Sequence, residues 1–91
     1  MRYRKSIVKP GAVVKHFKRE TVKDTDSMKY LYKIIDVAED TTTKEKLVIY
    51  KALYPCYGNG VFARKLSEFM SEVDHEKYPD IKQKNRFELY R

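Results

Sequence analysis

Residues 30 to 54, YLYKIIDVAEDTTTKEKLVIYKALY, constrain this chain more than any other stretch. Successive residues of a strand point to opposite faces, so alternation of apolar and polar side chains marks a half-buried strand. Tyr30, Tyr32, Ile34 and Ala38 fall on one side of a first strand, and Leu31, Ile35 and Val37 share the other with Lys33 and Glu39. In a second strand Leu47, Ile49 and Leu53 oppose Val48, Tyr50, Ala52 and Tyr54. Most of these residues are β-branched or aromatic, types that fit a pleated surface and lose rotamer freedom in a helix. Both strands carry apolar groups on both faces, which suits a small curled sheet better than a flat one. Asp40 to Glu45 supplies the reversal, and without an Asn-Gly or Asp-Gly pair it reads as a loop longer than two residues.

The flanking chain supplies the remaining elements. Pro10-Gly11 is a strong local break, and a strand over Ala12 to Phe17 follows it, with Val13 and Phe17 on one face and Val14 and His16 on the other. Lys18 to Lys29 is polar without alternation and reads as a solvated loop. Pro55, Gly58, Asn59 and Gly60 impose an irregular turn before a short strand over Val61 to Arg64. The period then changes: Leu66, Phe69, Met70 and Val73 stand at the spacing of one helical face, which predicts a helix over Lys65 to Val73. So short a helix does not persist alone in water and must dock on the sheet, with Phe69 as its anchor. Asp74 to Lys84 reads as a second polar loop, and Arg86 to Tyr90 as a closing strand. The expected fold class is therefore mainly β, a five-stranded partly open barrel with one short helix, because curling removes most exposed strand edges.

Length and charge narrow the function classes. Ninety-one residues fit one small domain, here residues 11–91, preceded by a basic arm over residues 1–10 that shows no regular period and whose order the sequence leaves open. The net charge of +7 is carried entirely by that end: seven basic and no acidic side chains precede Glu20, whereas 13 of each follow from there. Such an arm either attracts nucleic acid or another polyanion, or simply keeps a small protein in solution. The apolar run of about 7 to 15 residues that a signal peptide needs is missing, and so is the run of about 20 that a membrane span needs. With the single Cys56 unable to form an internal disulfide, these features point to the cytoplasm. One cysteine and two histidines, His16 and His75, give no metal-ligand spacing, and no motif calls for a cofactor.

Several residues invite a chemical reading beside a structural one. His16-Phe17-Lys18 sets a titratable ring, an aromatic body and a fixed charge side by side at the end of a strand. Without a partner that the sequence aligns, His16 is either a satisfied structural histidine or a ligand-facing one. Eight tyrosines and no tryptophan are unusual in so short a chain, and Tyr30, Tyr32, Tyr50, Tyr54 and Tyr57 cluster in or beside the hairpin. They serve either as core and sheet filler or as rings for a base, a proline-rich peptide or a cation. Arg64 offers a planar fork to phosphate or carboxylate, or pairs with Glu68. Cys56 lacks the signature of a nucleophile.

Read together, His16-Phe17-Lys18, Val48-Ile49-Tyr50, Ala52-Leu53-Tyr54, Phe62-Ala63-Arg64, Phe69-Met70 and Arg86-Phe87 resemble the small bacterial domain of unknown function 1653 family. The resemblance runs from about Gly11 to Tyr90 and marks the chain as a divergent member. Arg19 stands where that family's pattern has glycine, Thr41-Thr42-Thr43 replaces its turn motif, and Phe62-Ala63-Arg64-Lys65 lacks its tryptophan and proline. Phe69-Met70 reverses its Met-Phe pair. The resemblance implies a small SH3-like β-barrel and brings no established activity, cofactor or catalytic residue. Its motif positions make His16, Lys18, Tyr50, Tyr54 and Arg64, with Phe62 beside them, the candidate ligand-binding surface. The leading expectation is a noncatalytic binding module for nucleic acid, a nucleotide or another anionic ligand. The alternatives are a protein or peptide interaction domain, and a small enzyme if His16, Arg64 and a carboxylate such as Asp36 converge in one pocket.

Overall fold

The computed structural model describes residues 5–90. Its elements run α1 (Lys5–Val8), β1 (Val13–His16), a 3-10 segment (Phe17–Thr21), β2 (Leu31–Glu39), β3 (Lys46–Ala52), β4 (Val61–Lys65), α2 (Leu66–Phe69) and β5 (Phe87–Leu89). The five strands form one antiparallel sheet in the order β4-β3-β2-β1-β5, with the expected hairpin β2–β3 at its centre. The sheet does not close into a barrel, because the edge strands β4 and β5 do not pair with each other. The opening between them is spanned by α2 and by a single bridge between Glu72 and Asn85. Among the described residues no helix is long and apolar enough to cross a membrane.

The hairpin turn is the longer loop that its composition implied. The Asp40 carboxylate accepts the Thr42 and Thr43 amides at 2.8 and 3.2 Å, and those bonds hold its carboxyl below the usual range. Lys44 takes a left-handed backbone, φ 66°, to finish the reversal.

The alternation in β2 holds only as far as Ile34. Ile34 pairs with Tyr50 while Asp36 pairs with Ile49, so a bulge inserts one extra residue between them. Every side chain beyond the bulge changes face. Val37, expected opposite Tyr32 and Ile34, packs against the core, whereas Ala38 is exposed and Ile35 stands 44% exposed. In β3 the alternation is unbroken, and Val48, Tyr50 and Ala52 are all buried.

The helix is shorter than its spacing predicted. It ends at Phe69, and Ser71 Oγ donates back to the Glu68 carbonyl at 2.6 Å as the chain turns out of the helix. From there it runs extended, with the Val73 amide donating to Lys84 O and the Arg86 amide to Ser71 O. Leu66, Phe69 and Val73 are buried as expected, but Val73 arrives through this pairing rather than on a third helical turn.

The described part of the basic arm carries the single helical turn α1. Ile7 and Val8, at the end of α1, are buried in the main cluster beside Val14, Ile34 and Phe87. One helical turn carries too few residues to show a period. Residues 1–4 of the arm lie outside the described residues.

Truncating the fully buried Phe69 to Ala should lower unfolding free energy by about 3 to 5 kcal/mol. Ala38→Lys, on the face released by the bulge, should stay within about 0.5 kcal/mol of the parent. Urea denaturation of both variants measures the pair, and comparable losses would contradict the bulge register.

Candidate functional site

One cleft of about 430 Å³ is built directly on the aromatic part of the core. Tyr32 and Tyr50 reach it from the core face of the hairpin, and Phe87 from the first residue of β5; all three are buried and form its base. Their rings meet edge to face, Tyr50 lying 5.3 Å from Tyr32 and 5.6 Å from Phe87 between centroids. Tyr54 continues the line, its hydroxyl 2.7 Å from that of Tyr32. Desolvation by burial raises the pKa of both phenols, so the pair stays neutral. On the β4 side Phe62 and Tyr57 complete the walls, with ring centroids 5.3 Å apart and Tyr57 78% exposed.

His16, Lys18 and Arg64 line the same cleft. The six residues singled out from the sequence therefore lie together, although they come from β1, the 3-10 segment, the end of the hairpin and β4. Asp36 is elsewhere, its carboxylate accepting the Val37 amide at 2.8 Å. Among the residues lining this cleft there is no carboxylate. Cys56 lines it as a free thiol.

His16 ends β1 and caps the 3-10 segment, its Nδ1 accepting the Lys18 amide at 3.1 Å. An imidazole that accepts through Nδ1 must be neutral and carry its proton on Nε2. Its surroundings enforce that state. Desolvation first, then the charges of Lys18, Arg86 and Arg64, push its pKa down to about 4 from 6.5. Arg64 is held over this floor by its Nε, which donates to Tyr50 Oη at 3.2 Å, with its guanidinium 5.9 Å from the Phe87 centroid. The Glu68 pairing weighed for it forms only loosely, at 3.6 Å between partly exposed groups, and contributes little.

Three residues that organise the cleft's surroundings were not among the candidate site residues, and only Arg19 had drawn notice, as a departure from the family pattern. Arg19, placed where the family pattern has glycine, donates its guanidinium to the carbonyls of Ser27, Lys29 and Thr25 at 2.6, 3.0 and 3.1 Å. It turns the expected solvated loop into a braced one that delivers Tyr30 to the cleft with a left-handed backbone, φ 66°. Glu20 accepts the Lys82 and Gln83 amides at 2.9 and 2.6 Å, and the buried Gln83 side chain donates to Lys15 O and Asn85 O. This clip sets the second polar loop against β1. Arg and Gln in polar loops look like ordinary solvated residues until their partners, many positions away, are known.

No metal-binding arrangement is seen: among the described residues no three His, Cys, Asp or Glu side chains gather to hold an ion.

Because His16 is neutral in the fold with a pKa near 4, its contribution to stability is present above about pH 6.5 and is lost as pH falls toward 4. Denaturant midpoints measured from pH 7 to 4.5 should fall more for the parent than for His16→Asn, which keeps an acceptor for the Lys18 amide. Parallel curves would contradict the assignment. Arg19→Ala should speed hydrogen exchange at the Ser27 and Lys29 amides while Val48 and Tyr50 stay slow. Equal protection in both proteins would remove the bracing role.

No curated protein and no solved structure matches the chain. A family of proteins of unknown function, DUF1653, matches residues 12–89, which takes in every strand and the whole cleft. The chain belongs to this family.

Proposed function

We propose that the domain is a noncatalytic binding module whose tyrosine-rich cleft engages nucleic acid or a nucleotide. The observation that carries this reading is the joining of aromatic rings and cations in one concavity. Tyr54, Tyr57 and Phe62 offer rings at the mouth, and Lys18 and Arg64 stand beside them with no carboxylate in the lining. Rings of this kind stack on any base, and neighbouring cations meet the phosphate that every nucleotide carries. The neutral His16 adds a donor at Nε2 rather than a further charge. A proton-transfer role receives less support, because His16 titrates near 4 and has no carboxylate partner in the cleft. We place the module in the cytoplasm, where a free Cys56 stays reduced.

Titrating a labelled single-stranded oligonucleotide at low and moderate salt tests the proposal. Binding should weaken with salt, and Tyr54→Ala should reduce affinity roughly 5- to 100-fold, the loss expected for one stacked base. Absence of binding at both salt concentrations would remove the reading.

A further inference from the structure

A second cleft, of about 330 Å³, adjoins the first and shares His16, Lys18 and Arg64 with it. Its character is different. Lys77 and Arg86 join Lys18 and Arg64 there, so four cationic side chains line it against one carboxylate, Asp74. That carboxylate is already engaged, accepting the Glu76 and Lys77 amides at 3.1 and 3.3 Å.

The second cleft has no aromatic face open for stacking. Phe17 is buried, Tyr78 lies against it at 4.8 Å between centroids, and Lys77 Nζ stands over the Tyr78 ring at 5.5 Å. Arg86 is fixed by its Nε, which donates to Ser71 Oγ at 3.2 Å, and by its backbone N–H, which donates to Ser71 O at 2.8 Å. Among the described residues no hydrogen bond takes up its two Nη atoms, and none takes up Arg64 Nη2. Two guanidinium groups held by their Nε atoms leave both Nη atoms of Arg86 and Nη2 of Arg64 for a ligand oxygen, while Arg64 Nη1 faces Glu68 at 3.6 Å; such forks favour phosphate.

Resting on the nucleotide reading above, we infer that the two clefts form one bipartite site for a nucleoside bearing two or more consecutive phosphates. The base lies among Tyr54, Tyr57 and Phe62. The first phosphate sits at the junction by His16 Nε2, Lys18 and Arg64, and the next reaches Arg86 and Lys77. A free nucleoside diphosphate or triphosphate and the 5′-triphosphate end of an oligonucleotide share this chemistry.

Calorimetric titration of the full chain with adenosine, AMP, ADP and ATP, without divalent cations, reads the phosphate count directly. Binding should tighten about tenfold from adenosine to AMP and about tenfold again to ADP, the size of one charge-assisted contact per step. Arg86→Gln and Lys77→Gln should each erase the second increment and leave AMP within about twofold of the parent. Lys77 is exposed, so its variant stands even if loss of the Ser71 bond unfolds the other. Equal affinity for AMP and ADP overturns the inference, as does tripolyphosphate binding as tightly as ATP. A flat phosphate series beside a bound oligonucleotide rejects only the bipartite site, whereas silence from both rejects the nucleotide reading as well. A 5′-triphosphorylated oligonucleotide that outbinds its 5′-hydroxyl form by the same factor as ATP over adenosine supports the site and assigns it to chain ends.

Discussion

Phe69 and Phe87 lie face to face, with centroids 4.1 Å and planes 4° apart, and much of the fold hangs on that stack. The sheet has two edges that never pair, β4 and β5, so no ladder between edge strands closes it, and the backbone contributes only the short pairing of residues 71–73 with 84–86. Phe69 comes from the short helix that follows β4, and Phe87 opens β5, so the stack joins the two ends of the sheet across the gap. Neither ring is more than 2% exposed. The helix that presents Phe69 is a single turn, too short to be stable in isolation, and it exists because the buried ring and Leu66 hold it down.

The cleft grows out of the same cluster. Phe87 belongs to the stack and also to the base of the cleft; Tyr50 touches Phe69, Phe87, Tyr32 and Phe62 in turn. Rings in mutual edge-to-face contact have little freedom, so the surface they offer is preorganised. The cations at the rim are oriented by the aromatics beneath them. Arg64 rests over Phe87 and bonds Tyr50, and His16 lies 5.1 Å from Phe87 and 4.3 Å from Phe17. Burial and three nearby positive charges keep His16 neutral, which preserves the cap its Nδ1 makes on the 3-10 segment. Site polarity and core packing are thus coupled through shared rings.

How much of this was legible beforehand depended on whether the controlling contact was local. The hairpin could be read because alternation and β-branched residues report on a strand's own faces, and Val48, Tyr50 and Ala52 are buried together as their spacing required. The reading failed one residue past Ile34, where a bulge in the pairing of β2 with β3 exchanged Val37 for Ala38. It failed again after Phe69, where spacing alone could not tell a third helical turn from an extended segment paired with residues 84 to 86. The six candidate residues, chosen by motif position and residue type, line one cleft, which their sequence spacing could not show. The bracing of the loop by Arg19 and the Glu20–Gln83 clip stayed hidden, because each joins polar residues to backbone groups in segments with no pattern of their own.

The succession of strands along the chain, the central hairpin and the apolar stripe of Leu66, Phe69 and Val73 are properties of the one-dimensional chain, since local propensity and periodicity dictate them, and family membership rests on its motifs. The register beyond the bulge, the burial of Ile7 and Val8, and the meeting of His16, Lys18, Tyr50, Tyr54, Phe62 and Arg64 around one concavity were decided only in three dimensions. The physical reason is that a strand's faces are set by its own dihedrals, whereas a cleft is set by how far a sheet curls. That curl is governed by contacts between residues far apart along the chain, here the stacked pair that draws its two edges together.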